Sequence, residues 1–321
     1  MDSVLNPLAW MLVLIQAALY AALAPLLAGW IRKLKARLQN RRGAPVLQPY
    51  RELYKLLGKE ARVAHTASAL FRVAPYVVFV ATWLAATTVP LIATGLPVAM
   101  LADLIVLVGL LALARFFLAL AGMDTGTAFG GMGASREMLI SALAEPAMLL
   151  AVFTLAMTAH STNLSSMVEL QLDGPLVLRP SYLFALAALI LVAIAETGRI
   201  PVDNPATHLE LTMVHEAMIL EYSGRHLALM EWAAQIKLVL YGALIANLFF
   251  PWGIAQEFTA AGLVLGLVAV GAKLLMLGAA MAVAETVLAK MRLFRVPALL
   301  NLAVLLGVLG LLGHVILEVG S

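Results

Sequence analysis

Of 321 residues, 63% are hydrophobic and 12% are charged, the formal net charge is +3, and cysteine is absent. With a mean hydropathy of +0.98, the chain carries more apolar surface than a soluble core can absorb, which excludes a water-soluble globular protein and leaves a polytopic membrane protein. The missing thiols exclude disulfides, thiolate catalysis, cysteine-ligated zinc and the usual cradle of an iron–sulfur cluster, so the chain itself carries no redox centre of those kinds.

Apolar runs of ~20 residues or more select membrane helices over a barrel. Eight are legible, at 4–31, 74–94, 98–120, 138–160, 182–197, 236–252, 260–289 and 296–317. The expected fold is all-α: a polytopic integral membrane bundle of about eight transmembrane helices, one domain over 1–321. The first run is read as a retained span and not a signal peptide, because its basic cluster follows it. Four connectors, 32–73, 121–137, 198–235 and 290–295, hold nearly all the positive charge. Ten Lys and Arg lie between Arg32 and Arg62, with Arg136, Arg199, Arg225, Lys290, Arg292 and Arg295 in the later three. The opposite side holds Arg179. The positive-inside rule puts those connectors in the cytoplasm and both termini away from it, in a bacterial inner membrane. The basic residues are not interleaved with aromatics, which sets nucleic acid aside as a partner.

In the first connector Tyr50, Leu53, Tyr54 and Leu57 fall at i, i+3, i+4 and i+7, with Arg51, Lys55, Lys59 and Arg62 on another face. That pattern predicts an amphipathic helix at the membrane surface, anchored on the lipid bilayer or forming a rim for a peripheral partner. The segment 122–136 is rich in glycine but lacks the lysine of a phosphate loop and the spacing of a dinucleotide fingerprint. Its glycines allow tight turns and close approach of a partner's backbone, and a flexible re-entrant loop is the plainer alternative.

Ionisable groups inside spans cost roughly 2.5–3.5 kcal/mol each and invite a functional reading. Glu145 precedes Pro146 within the fourth run, Glu196 ends the fifth, and Lys273 and Glu285 share the seventh. The last two are 12 residues apart, about 18 Å along a helix, and cannot pair with each other. Arg72 and Arg115 are expected to snorkel to the nearer edge, and Asp103 to be hydrated. Pairing between helices accounts for each acid taken singly.

The run 196–224 concentrates five acids, one arginine and two histidines between spans. Pro201 and Pro205 interrupt its start. A helix is predicted from Thr207, with Glu210 three residues on as in a capping box, to Gly224. On it Glu210 and Glu221 share a face, as do His208 and His215, while Glu216 is offset. Arg199 and Asp203 fall in the entry segment. With the acids inside the spans, this run suggests a hydrated proton path, in which burial and nearby cations tune carboxylates toward neutral pH. Ile219 stands where a zinc-protease helix after His215-Glu216 needs its second histidine. His208 with His215, or His160 with His314 as haem ligands, are weaker readings than hydrogen-bonding or interfacial histidines, and no metal is assigned. Asn163-Leu-Ser165 is read as a chance glycosylation match.

Three segments together resemble the subunit-1 family of respiratory complex I. They are Arg42-Gly-Ala-Pro-Val-Leu-Gln-Pro-Tyr-Arg-Glu-Leu-Tyr-Lys-Leu-Leu-Gly-Lys-Glu60, Phe129-Gly-Gly-Met-Gly-Ala-Ser-Arg-Glu137, and Glu196 to Gly224 with its Glu-Tyr-Ser-Gly ending. Gln48-Pro-Tyr-Arg51, the glycine-rich segment and Asp203-Asn-Pro-Ala-Thr-His-Leu-Glu-Leu-Thr-Met-Val-His-Glu216 favour its hydrogenase branch, hydrogenase-4 component C and formate hydrogenlyase subunit 4. Complex I members carry Ala-Asp after Gln-Pro and a Glu-x-Glu-x-Glu-Leu-Val string, and both are missing here, which puts a bound quinone in doubt. The resemblance implies a non-catalytic membrane subunit. Its partners would be a hydrogenase-like large subunit with the nickel–iron site, a small subunit with the iron–sulfur clusters, and antiporter-like membrane subunits. It implies Glu145, Glu196, Asp203, Glu210, Glu216 and Glu221 as a coupling path stabilised by Arg199, with Glu285 and Lys273 as further members. Gln48, Tyr50, Arg51, Phe129, Arg136 and Glu137 would dock the partner. A quinone-binding complex I subunit and a purely structural anchor are the alternatives, and a free-standing transporter is disfavoured by the lack of an inverted repeat.

Overall fold

The computed structural model describes residues 7–98, 102–173, 179–203, 213–256 and 258–318. Their helices are α1 (Pro7–Leu38), α2 (Gln48–Leu57), α3 (Ala69–Thr88), α4 (Leu104–Asp124), α5 (Ala128–Ala159), α6 (Leu164–Asp173), α7 (Pro180–Glu196), α8 (His215–Ile219), α9 (Gly224–Phe249), α10 (Ala260–Val287) and α11 (Val296–Gly313). Short 3-10 and π turns flank α11 at Leu293–Arg295 and His314–Glu318, and among the described residues the β-pairing is limited to isolated bridges, Ala93 with Ala255 and Asp103 with Asn163. Among the described residues seven helices are long and apolar enough to cross a membrane, namely α1, α3, α4, α5, α9, α10 and the α11 segment. The eighth, α7, is apolar but has only 17 residues. The all-α bundle and each of the eight predicted runs are therefore present.

The helices begin where short polar side chains can satisfy free amides. Ser68, Asp103, Thr127 and Thr259 cap α3, α4, α5 and α10 through their side-chain oxygens. Asp103, expected to be simply hydrated, also accepts from the Thr162 hydroxyl at 2.6 Å. Asn163 accepts from the amides of Ser165 and Ser166 at the start of α6, a helix the apolar pattern does not reveal. The second predicted run overshoots because Val89 and Pro90 end α3 in a turn that stays inside the bundle. There the polar side chains of α1 and α9 replace the missing helix partners. Tyr20 donates to the Val89 carbonyl at 3.0 Å, Gln16 accepts from the Leu91 amide at 3.0 Å, and Asn247 donates to the Pro90 carbonyl at 2.6 Å. In a setting without water such donors must be supplied by the protein.

Central to the bundle is α9, whose apolar window is 72% buried against 17% for α10. It packs on α1, α2, α3, α7 and α10, while α5, α7 and α11 form a tight trio beside it. Outlying α10 leans chiefly on α1, where Gly278 meets Leu27 and Trp30. Amphipathic α2 forms where predicted, but only part of the expected stripe is covered. Leu53 is buried and the Tyr50 hydroxyl donates to the Ala22 carbonyl, whereas Tyr54 is 84% exposed.

Two connectors differ from expectation. The glycine-rich segment runs from the last turn of α4 through a short turn into the opening of α5, and its close backbone approaches are made within the chain. A Cβ on Gly130 would lie 1.9 Å from the Gly122 carbonyl oxygen of α4, and Gly133 faces Ala217 and Val214 beside α8. The helix predicted to end near Gly224 is instead broken. Among the described residues α8 stops at Ile219, and Gly224, at a φ of 54°, opens α9. A Cβ there would also stand 2.3 Å from the Glu60 carbonyl oxygen, so glycine is required twice over. The predicted cap Thr207, with His208 and Glu210, lies outside the described residues.

Candidate functional site

Four ionised side chains from four helices meet inside the bundle. Arg115 of α4 reaches Glu196 at the end of α7 at 2.9 Å and Glu145 of α5 at 3.2 Å. Lys237 of α9 closes the set on Glu196 at 2.7 Å. The side chains of Arg115 and Glu196 are 5% and 2% exposed. Helix α5 runs unbroken past Pro146, so Glu145 is held on a continuous rod. Charges this deep persist only when paired, and here two cations face two carboxylates.

Arg115, Glu196 and Lys237 form the floor of a cavity of about 180 Å³ between α1, α4, α5, α7, α8 and α9. Glu137, Arg199, Asp203, His215, Glu216 and Glu231 line its walls, and Arg32 also lines it. Arg115 Nε, His215 Nε2 and Gln235 Oε1 are buried without a protein partner, and all three residues face this space. Buried polar atoms of that kind hold water, and the volume is enough for several molecules.

A second set of ion pairs ties the connector to the basic end. Glu285 of α10, almost fully buried, binds Lys35 of α1 at 2.8 Å and Arg199 at 3.2 Å. Asp203 binds Lys290 at 2.8 Å and accepts from the Val214 amide at 3.2 Å. Arg136 donates to the Met213 carbonyl at 2.8 Å, which joins the start of α5 to the far side of the same connector. Arg199 belongs to both the cavity and this clamp. Among the described residues no group of three or more His, Asp or Glu is gathered to hold a metal ion.

The sequence profile described as NADH dehydrogenase matches residues 10–315. The chain belongs to the NADH dehydrogenase family. Within it the chain is 38% identical over 284 residues to formate hydrogenlyase subunit 4 of Escherichia coli K12, covering 88% of this chain and 92% of that one. It is 39% identical over 283 residues to hydrogenase-4 component C of the same organism, covering 87% of each. An NADH-quinone oxidoreductase subunit from Syntrophotalea carbinolica is 31% identical over 235 residues, 68% of this chain and 69% of that one. A chain from the membrane-bound sulfane sulfur reductase, an archaeal respiratory membrane complex, shares the fold. Its TM-score is 0.79 at 21% identity, with 95% of this chain and 98% of that chain covered.

In this member of the NADH dehydrogenase family the fold gathers Glu145, Glu196, Arg199, Asp203, Glu216 and Glu285 into one connected region. Glu137, expected on a docking rim, lines the cavity, while Arg51 is exposed and Gln48, Tyr50 and Phe129 are partly so. One acid and one base fall elsewhere. Glu221 is exposed on the turn before α9, because α8 ends too early to carry it inward. Lys273 lies apart, at 3.5 Å from the Asn247 side-chain oxygen. Arg115, expected to snorkel, is instead the hub of the cluster, and Lys237, Gln235 and Glu231 are site residues that the sequence pattern does not single out. A signal exists for Arg115 and Lys237. Apolar spans containing Glu145 and Glu196 need cations at matching depth, and these two are among the few Lys and Arg within or beside the apolar runs, though the pattern does not separate them from Arg72 and Lys273.

Proposed function

We propose that the chain is the non-catalytic membrane subunit of a group-4-type membrane-bound hydrogenase or formate hydrogenlyase-like complex. It anchors the redox arm and couples electron transfer to proton movement. Its nearness to formate hydrogenlyase subunit 4 and hydrogenase-4 component C supports the type of complex. On this reading a hydrogenase-like large subunit and an iron–sulfur small subunit bind at the basic end, which faces the cytoplasm, and antiporter-like subunits stand beside the bundle in the membrane. The nickel–iron site and clusters are theirs.

One observation carries the coupling role: a cavity at the basic end, large enough for several waters and bordered by charged side chains, whose floor leads through Glu196 and Arg115 to Glu145 in the bundle. A unit charge arriving ~10 Å from a wall carboxylate, at an effective dielectric of ~20, changes its energy by about 1.7 kcal/mol. That is a little over one pKa unit, enough to load or release a proton. Glu137, Glu216 and Glu231 on the walls are the groups that exchange with water, and the paired acids below conduct inward. The test is Glu216→Gln with Glu231→Gln in the assembled complex. Proton movement per hydrogen turned over should fall at least tenfold while the partners still co-purify. Wild-type proton movement and turnover together would overturn the role, and a lower yield of assembled complex with normal coupling in the fraction that assembles would favour a plain anchor.

A quinone-binding role is the second reading, supported by the likeness to the NADH-quinone oxidoreductase relative. The cavity volume weighs against it, since small-molecule sites usually begin at ~300 Å³. Quinone retained by the purified complex would favour it.

A further inference from the structure

Lys273 stands at the middle of a long apolar helix. It is the fourteenth of the 28 residues of α10, so about 20 Å of helix separates it from either end. A four-carbon stem cannot carry its ammonium to water over that distance, and snorkelling is excluded. Among the described residues its only hydrogen bond is the long one to Asn247, and no carboxylate lies within 4.0 Å. Glu285, on the same helix, is already held by Lys35 and Arg199. The side chain is nonetheless partly exposed. It borders the bare side of α10, where Val268 is 63% and Met276 is 72% exposed, while the other side rests on α1. Met276, three residues on, lies beside Lys273 on the helix surface. An ammonium facing hydrocarbon is costly, and the buried cation Arg115 shows the alternative, held by carboxylates of two neighbouring helices.

We propose that Lys273 and the adjoining bare side of α10 receive a membrane-spanning helix of a second subunit that carries an aspartate or glutamate at mid-bilayer depth. Charge complementarity fixes the partner's chemistry, and the apolar side chains of α10 supply the packing around the pair. Lipid alone offers no carboxylate at that depth. The inference goes beyond the coupling role and needs only that the chain works beside another membrane chain.

The test is a photo-crosslinking amino acid in place of Met276 in the intact complex, activated in native membranes, with the adduct mapped by mass spectrometry. The expected adduct is a membrane-spanning peptide holding an Asp or Glu within about one helical turn of the attachment point. Its yield should drop at least fivefold with Lys273→Met, persist with Lys273→Arg, and return when Lys273→Glu is combined with a lysine at the partner's acid. Adducts with lipid only, a mapped peptide without an acid, or an unchanged yield in Lys273→Met would each overturn the proposal. Should Lys273→Met fail to accumulate, the peptide mapped with Lys273 in place decides alone. None of these readouts depends on proton coupling, so failure of the Glu216 and Glu231 test leaves them unaffected.

Discussion

Replacing Arg115 with methionine removes the hub of the buried cluster while keeping a long side chain there. The four charged groups Arg115, Lys237, Glu145 and Glu196 sum to zero in the native protein. In Arg115→Met they sum to −1, Glu196 keeps only Lys237, and Glu145 keeps no cation within the cluster. Breaking a buried pair costs roughly 3–5 kcal/mol. The lower end applies here, because Lys237 still holds Glu196 in the variant. At 1.4 kcal/mol per factor of ten, a loss of about 3 kcal/mol shifts the folding equilibrium by more than 100-fold. Thermal unfolding in mild detergent should show it clearly. The decisive comparison is Arg115→Met with Glu145→Gln, which returns the sum to zero and leaves the Glu196–Lys237 pair intact, and should recover at least half of the loss. Arg32→Met is the control. Its pair with Glu52 is 56% and 38% exposed and should contribute at most about 1 kcal/mol. An Arg115→Met protein as stable as Arg32→Met, or a double variant worse than the single one, would refute the charge argument.

Two further substitutions test the packing. Gly130→Ala places a Cβ against the Gly122 carbonyl and should cost about 1–3 kcal/mol. Gly131→Ala, one residue on with nothing within 4 Å, should gain up to about 1 kcal/mol from helix propensity. Opposite shifts in the unfolding temperature of this neighbouring pair are the expected result. Gln16→Leu removes the side chain that serves the Leu91 amide and the Thr87 and Val89 carbonyls, and should cost about 1–3 kcal/mol for the orphaned groups. Faster amide exchange at Leu91 by mass spectrometry checks the same point.

The spans were legible because hydrocarbon imposes one rule on every residue of a helix long enough to cross it, so composition alone reveals them. The edges were less so. Val89 to Ala93 are as apolar as a helix, yet Pro90 turns the chain inside the bundle, and only Tyr20, Gln16 and Asn247 tell why that is tolerated. The acids of the site were legible as expensive groups. Their counter-ions were not, because Arg115 and Lys237 fall near the edges of their apolar runs, where a cation ordinarily escapes to water. At 122–136 the glycines signalled close backbone approach but not against what. Expected to admit a partner's backbone, they bring Gly122, Gly130 and Gly133 against backbone and side chains of this same chain. Glu231 was hidden because α9 begins at Gly224, well ahead of the apolar run that opens at 236, so a polar stretch of the helix has the composition of a connector.

At 1.5 Å per residue the 17 residues of α7 measure about 26 Å, while the 32 of α1 measure about 48 Å. The shortfall acts as a tether. A strand of chain that must leave a truncated rod starts its exit from below the rim its neighbours define, and whatever it carries at that point is drawn down with it. Glu196 is that last residue, so the depth of the whole charged floor is dictated by how many turns precede it. One extra turn would lift the carboxylate by about 5.4 Å, out of reach of both cations that now hold it.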